Sequence, residues 1–209
     1  PIAVLADIEK ILLHPDLPRY IAAGVGDTVG KITALWDWKL AWRLKSEKYS
    51  RFVGGVLENV DMLLQNQIKS DTQSLTDAIQ IALKAQLISG VLMGTYNHLR
   101  IGYGSEHMFS AAMDSLAPDT DILHGERIAL GTILMAALQG QSIEPIKRIL
   151  EHVGCPTSID ELYDEVKPEI IVKALQISHK VRAMYTILGE EGISEEAAWN
   201  LAQTTGVIP

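Results

Sequence analysis

GSEHMFSAAMDSLAPDTDILHGE, residues 104–126, is the stretch from which the rest of the chain is best read. It carries two histidines, His107 and His124. Between them runs a connector with Pro118 and the acids Asp114, Asp119 and Asp121. An apolar helix is expected to open near His107. A second opens at His124, with Gly125 and Glu126 in its first turn and an apolar run, Ile128 to Leu138, behind them. Two imidazoles delivered from two helix starts can meet at one point, and neutral imidazole is the commonest protein ligand for a transition metal. Two ligands do not make a site. A lone histidine near a helix end is more often an ordinary polar residue.

Outward from this stretch, nearly every periodic segment reads as helix, and strand-like alternation is absent. Upstream, Ala3 to Leu13 is a short amphipathic turn or helix, stopped by His14-Pro15 and Pro18. Leu17 to Ala23 is another, ended by Gly24 and Gly26. One long helix then covers Asp27 to Ser46, with Asp27 at its start as N-cap or first-turn acid. Tyr49 to Ile68 follows, with a Gly54-Gly55 pair suited to close packing. A polar break, Asp71 to Ser74, leads into a capping-box pattern, Ser74 to Asp77. The helix from there to Tyr96 is apolar on most faces, the pattern of a helix central to a bundle. His98 to Tyr103 is irregular. Downstream, Gly140-Gln141 is a break, Ile143 to Val153 a short amphipathic helix, and Gly154 to Thr157 a turn. Ser158 to Glu161 is a capping box, and Pro168 opens a helix running to Ala183. Tyr185 to Ile193 is a loop, and Ser194 caps a last helix ended by Gly206. The fold class is all-α: a multi-helix bundle forming one domain, residues 1–209.

The net charge of −8 and the absence of long Lys/Arg runs argue against nucleic acid as a partner. Hydrophobic residues make up 47%, enough for a sizeable core. The single cysteine, Cys155, cannot form an internal disulfide, so a reducing, cytoplasmic compartment is expected. No membrane span and no signal pattern is read. The first residue is Pro1 rather than Met, which suggests a segment removed upstream.

A third ligand candidate is Asp27. Asp27 and Lys31 are four apart and share a helix face. The ordinary reading is an exposed ion pair worth a few tenths of a kcal/mol. Gly24, Gly26 and Gly30 beside them point elsewhere. Glycine in a helix costs roughly 1 kcal/mol against alanine, so three at one place suggest close approach by another backbone or a ligand. One carboxylate with two imidazoles suits a divalent metal and leaves a coordination position open. The three tryptophans at helical spacing, Trp36, Trp38 and Trp42, read as core or interface aromatics. Cys155, His14, His98 and His152 read as structural or ordinary polar residues.

Four stretches carry a family resemblance: AAGVGDTVGKITALWDWKLA (22–41), GSEHMFSAAMD (104–114), LHGERIALGTILMA (123–136) and YTILGEEGISEEAAWNLAQTTGVI (185–208). Together, G-x-G-D-x-x-x-K-x-T-A, G-S-E-H and H-G-E are specific. The chain resembles the C-terminal metal-binding helical domain of glycerol-1-phosphate dehydrogenases, within the iron-containing alcohol dehydrogenase and dehydroquinate synthase superfamily. The resemblance implies a catalytic metal on Asp27, His107 and His124: Zn2+, or Ni2+ or Fe2+ in some members. It implies NAD(P)H-linked reduction of dihydroxyacetone phosphate to sn-glycerol 1-phosphate, a small phosphorylated substrate. It places Lys31 near that substrate or the developing oxyanion, as a catalytic and substrate-binding residue. Arg100 is a further phosphate candidate, and His179 and Arg182 are candidates for lining the cleft. The dinucleotide-binding domain that precedes this one in the family has no counterpart here, so the isolated chain is expected to be inactive. A homo-oligomer is compatible with the resemblance.

Two departures stand out. Family members commonly carry a second His one turn after the first, where this chain has Ala111; that puts proton delivery in question. The family tends to have Pro, Ala and Ser after the Arg, where this chain reads Ile101-Gly102-Tyr103. Two other readings stay open: a non-catalytic helical metal-binding module, and a glycerol-dehydrogenase-like enzyme. The cyclase branch is disfavoured, because it uses Glu as the non-His ligand.

Overall fold

The computed structural model describes residues 3–5, 7–67 and 75–209. Among them every regular element is helical: α1 (Ile8–Ile11), α2 (Leu17–Val29), α3 (Lys31–Lys45), α4 (Arg51–Gln67), α5 (Leu75–Tyr96), α6 (Ser105–Leu116), α7 (His124–Leu138), α8 (Glu144–Val153), α9 (Pro168–Ile177) and α10 (Glu195–Thr204). Short 3-10 turns occupy Leu99–Ile101, Ile159–Glu161 and Ser178–Lys180. The all-α expectation therefore holds. None of the described helices is long and apolar enough to cross a membrane. The polar break and Ser74 cap read at residues 71–74 lie outside the described residues.

The hub of the bundle is α7, not α5. Ile128, Ala129, Leu130, Ile133, Leu134, Met135 and Ala136 are all without solvent exposure. Helices α2 and α6 pack along its length. Buried side chains of α8, α9 and α10 (Ile149, Ile171, Ala198) complete the same core. Helix α5 was read as central because it is apolar all round. In the fold it lies at the periphery, with Leu87, Ile88 and Val91 exposed. Hydropathy says how much of a helix could be buried; it does not say how many neighbours the chain provides.

The region around Asp27 differs from the sequence expectation in an instructive way. Gly24 and Gly26 do not end a helix. Helix α2 runs through both, and Asp27 sits in its last turn rather than at a helix start. The hydrogen-bond ladder continues at Gly30: the amide of Gly30 donates to Gly26 O (3.3 Å), and that of Ala34 to Gly30 O (3.1 Å). The result is a nearly continuous helical run from Leu17 to Lys45, with Gly30 in right-handed helical backbone at the junction. Low helix propensity is overridden by packing. A Cβ on Gly26 would lie 2.5 Å from Gly125 O, one on Gly30 2.7 Å from Ile128 Cγ2, and one on Gly125 inside the Ala23 carbonyl. Of the two partners the glycines allowed for, another backbone is the one found: α2 and α7 cross with main chains nearly touching.

Other local differences are smaller. Ser158–Glu161 does not cap an α-helix. It makes one 3-10 turn, and the Glu161 carboxylate instead accepts from the Thr157 amide (2.7 Å) and hydroxyl (3.1 Å). Helix α9 ends at Ile177, six residues short of Ala183. Ser194 does cap α10, its hydroxyl accepting from the Ala197 amide (3.2 Å), and Gly206 ends it at φ +69°.

Candidate metal centre

Three helices deliver the three candidate ligands. Asp27 comes from the last turn of α2, His107 from the first turn of α6, and His124 from the first residue of α7. Each offers one ligand atom, and those atoms lie within 4.8 Å of one another. Asp27 Oδ1 is the common point, 3.3 Å from His107 Nε2 and 3.7 Å from His124 Nε2. The His124 side chain is 59% exposed and His107 only 10%. The cluster is thus buried on one side and open to solvent on the other. Its donor set, one carboxylate oxygen and two imidazole nitrogens, fits a divalent cation with an open position.

The helix starts are anchored by residues that sequence reasoning passed over. Glu106 is fully buried. Its Oε1 accepts from His107 Nδ1–H (2.7 Å) and from the Gly104 amide (2.8 Å), and its Oε2 from the Thr33 hydroxyl (2.8 Å). Holding the proton on Nδ1 leaves Nε2 facing Asp27, the tautomer a metal ligand needs. Glu106 lies within the G-S-E-H motif, and a buried acid beside a ligand histidine was the available signal. Glu126, of H-G-E, accepts from the Leu123 amide (2.8 Å) at the head of α7. It also receives Arg19 of α2 through two bonds, 2.7 and 2.9 Å. Gln86, on α5, donates to Asp27 Oδ2 and accepts from Lys31 Nζ (3.3 Å). It lies 59 residues from Asp27, and no sequence signal connects the two.

Electrostatics follow from this packing. Burial pushes the Asp27 carboxyl up, but the His107 hydrogen bond, the Lys31 charge and Gln86 outweigh it and hold Asp27 below the usual carboxylate range. Burial lowers His107, yet its bonds to Asp27 and Glu106 win and carry it up to about 9. His124 is lowered, first by burial and then by its cationic neighbour His107. Lys31 is not the exposed ion pair of the ordinary reading. It is 5% exposed, with Nζ 3.7 Å from Asp27 Oδ2 and 3.4 Å from Asp27 O. Burial lowers its pKa against the pull of Asp27 and Glu106.

Arg100 is not brought to the triad. It is buried, and it makes a two-bond pair with Glu47 (2.8 and 2.6 Å) beyond the far end of α3. The 15 residues of α3, about 22 Å of helix, separate that end from Asp27. Arg182 stands nearer. Its guanidinium lies 5.0 Å from the centre of the Tyr103 ring, and that ring is 4.9 Å from the His107 ring. His179 packs against Gly192 instead. Ala111 is exposed on α6, one turn past His107. Cys155 is buried, its thiol pushed up to about 12 by desolvation, which fits the structural role read for it. Trp38 is buried, Trp36 half-buried and Trp42 exposed.

No protein-family model matches the chain. Curated relatives do. The chain is 44% identical over 210 residues to a glycerol-1-phosphate dehydrogenase (NAD(P)+) of Staphylothermus marinus, covering 99% of this chain and 57% of the relative. It is 44% identical over 214 residues to one of Pyrococcus abyssi, covering all of this chain and 59% of the relative. A glycerol-1-phosphate dehydrogenase of Korarchaeum cryptofilum is 40% identical over 211 residues, 66% of its length. The chain spans under three-fifths of the length of the first two. It is therefore, from end to end, a homologue of part of the glycerol-1-phosphate dehydrogenases.

Proposed function

We propose that this chain is the metal- and substrate-binding part of a metal-dependent, NAD(P)-linked oxidoreductase that reduces dihydroxyacetone phosphate to sn-glycerol 1-phosphate. The observation that carries this reading is the meeting of Asp27, His107 and His124 in a chain whose relatives bear that activity in their names. The ion would be Zn2+, or Ni2+ or Fe2+, held by Asp27 Oδ1, His107 Nε2 and His124 Nε2. When bound, it supplies Lewis acidity to a ketone oxygen. NAD(P)H would be held by the portion of the relatives that this chain does not match.

The chain's own residues then have distinct tasks. Glu106 keeps His107 in the Nδ1–H tautomer. Helix α7, with Glu126 and Arg19 at its head, holds His124. Hydride transfer to the carbonyl carbon leaves negative charge on oxygen, and a proton must follow. We assign to Lys31 Nζ, desolvated beside Asp27, the tasks of stabilising that charge and giving the proton. Its burial weakens its hold on the proton, which suits a donor. In this reading Lys31 would supply the proton that Ala111 cannot.

Two measurements test the reading. Protein purified without chelators should hold one divalent ion per chain, and His107→Ala and His124→Ala should not; equal metal in all three would refute the site. In a protein that joins this chain to an NAD(P)H-binding portion, Lys31→Met should lower kcat/KM by at least about tenfold, ~1.4 kcal/mol. The loss should be the same for dihydroxyacetone phosphate and unphosphorylated dihydroxyacetone. A loss confined to the phosphorylated substrate would move Lys31 from the reacting oxygen to the phosphate.

A further inference from the structure

A phosphorylated substrate needs a cation that is free to meet it, and most cations around the centre are committed. Lys31 is buried on Asp27 and Gln86. Arg19 is held by Glu126, and Arg127 by Asp114 (2.9 Å) and by the Ile122 carbonyl (2.7 Å). Arg100 gives Nε and Nη2 to Glu47; its Nη1 has no partner, but the side chain is buried.

Arg182 differs. It is exposed, and no acid or hydrogen-bond acceptor among the described residues engages it. It does not dangle: its guanidinium lies over the face of Tyr103, 5.0 Å from the ring centre. Tyr103 in turn leans on His107, with ring centres 4.9 Å apart and planes 33° from parallel. The stack Arg182–Tyr103–His107 ties a free guanidinium to a metal-ligand candidate. A guanidinium over an aromatic face keeps its N–H edges available, and those edges match phosphate oxygens in pairs. Arg182 also lines a cavity of about 420 Å3 with Glu47, His98, Arg100 and Met184.

We infer that Arg182 recognises the phosphate of a phosphorylated triose whose carbonyl or hydroxyl end lies at the Asp27–His107–His124 centre, with Tyr103 as the platform that holds the guanidinium in place. This rests on the reading above and adds the specificity-determining residue to it. Lys31 and Arg182 then divide the work: the buried ammonium meets charge at the reacting oxygen, and the exposed guanidinium meets the standing charge of the phosphate.

The test is calorimetric titration of the Zn2+-loaded chain with sn-glycerol 1-phosphate and with glycerol, comparing wild type, Arg182→Gln and Arg182→Lys. Arg182→Gln should weaken glycerol phosphate at least about tenfold, because charge-assisted bonds are lost. Glycerol binding, zinc content and thermal midpoint should be unchanged. Arg182→Lys should recover part of the loss, since it restores the charge without the fork. If wild type binds glycerol phosphate and Arg182→Gln binds it equally well, the assignment of Arg182 is wrong and the wider reading survives. An equal loss for glycerol and glycerol phosphate also overturns the assignment, since Arg182 would then act through Tyr103 on His107. If zinc-loaded wild type does not bind glycerol phosphate at all, the wider reading fails and takes this inference with it.

Discussion

Replacing Glu106 by glutamine isolates one charge. The amide has the carboxylate's shape, and one orientation satisfies every neighbour. Its carbonyl can take the place of Oε1, accepting from the Gly104 amide and His107 Nδ1–H. Its NH2 can donate to the Thr33 hydroxyl, which still donates to Gly30 O (3.0 Å). No buried group is left without a partner, so folding should survive. Two effects oppose each other: the nearby Asp37 carboxyl, pushed up to about 7 by burial and by the Glu106 charge, is relieved, while His107 loses charged support. What is lost is the charged half of the His107 bond. Charge-assisted hydrogen bonds are roughly twice as strong as neutral ones, and removing such a partner of a ligand histidine typically weakens metal binding about 10- to 100-fold. That corresponds to about 1.4 to 2.7 kcal/mol. The assay is competition for Zn2+ against a chromophoric chelator, with circular dichroism and a urea melt on the same samples. Metal affinity should fall while the helical circular dichroism spectrum and a cooperative urea melt are retained, the melt shifted only by the weakened His107 bond. A Glu106→Gln chain that binds zinc within about twofold of wild type would refute the idea that the carboxylate tunes His107.

Two further outcomes are expected. In chelator-treated protein, His107 carries a folded value of about 9 against an ordinary 6.5, so its contribution is fully present below pH 6.5 and is lost as pH rises through about 9. The difference in unfolding free energy between wild type and His107→Gln should shrink by on the order of 3 kcal/mol from about pH 6 to about pH 9.5; a difference that stays flat would count against the charged pairing with Asp27. Gly125→Ala would gain roughly 1 kcal/mol on helix propensity alone, yet its Cβ runs into the Ala23 carbonyl, so a net destabilisation of at least about 2 kcal/mol in urea unfolding is expected, and a variant as stable as wild type would mean that the two helices do not cross so closely.

What could be read from the chain divides along the range of the forces involved. Helical periodicity is local, and the all-α class and most segment ends followed from it. The three ligand candidates were legible because motif residues name themselves. Junctions decided by distant partners were not. Gly24 and Gly26 are poor helix residues by propensity, yet α2 runs through them because α7 lies against them. Helix α5 has the composition of a buried helix and only some of the neighbours to bury it. Lys31 resembles a surface pair in sequence. Its burial depends on Gln86, 55 residues away. Arg100 has the chemistry of a phosphate ligand, and Glu47, 53 residues away, already holds it. Each of these contacts is long-range, and no window of sequence contains it.

The glycine crossing of α2 and α7 has a consequence for how the centre meets an ion. Asp27 is the residue after Gly26, and His124 the residue before Gly125, so the gap between these two donors is gauged by one main chain resting on another. Rotamers can adjust the donors; the spacing of their Cα atoms has nowhere to go. Folding has therefore already met most of the ordering cost that an ion would otherwise impose, the sense in which a site is preorganised. Apo and loaded forms should superpose closely, and uptake should be limited by ion dehydration rather than by rearrangement of the protein. A gap that cannot widen also sorts ions by size. It suits a cation content with nitrogen and oxygen at about 2.0–2.2 Å, and it disfavours calcium, which asks for six to eight oxygens at longer reach.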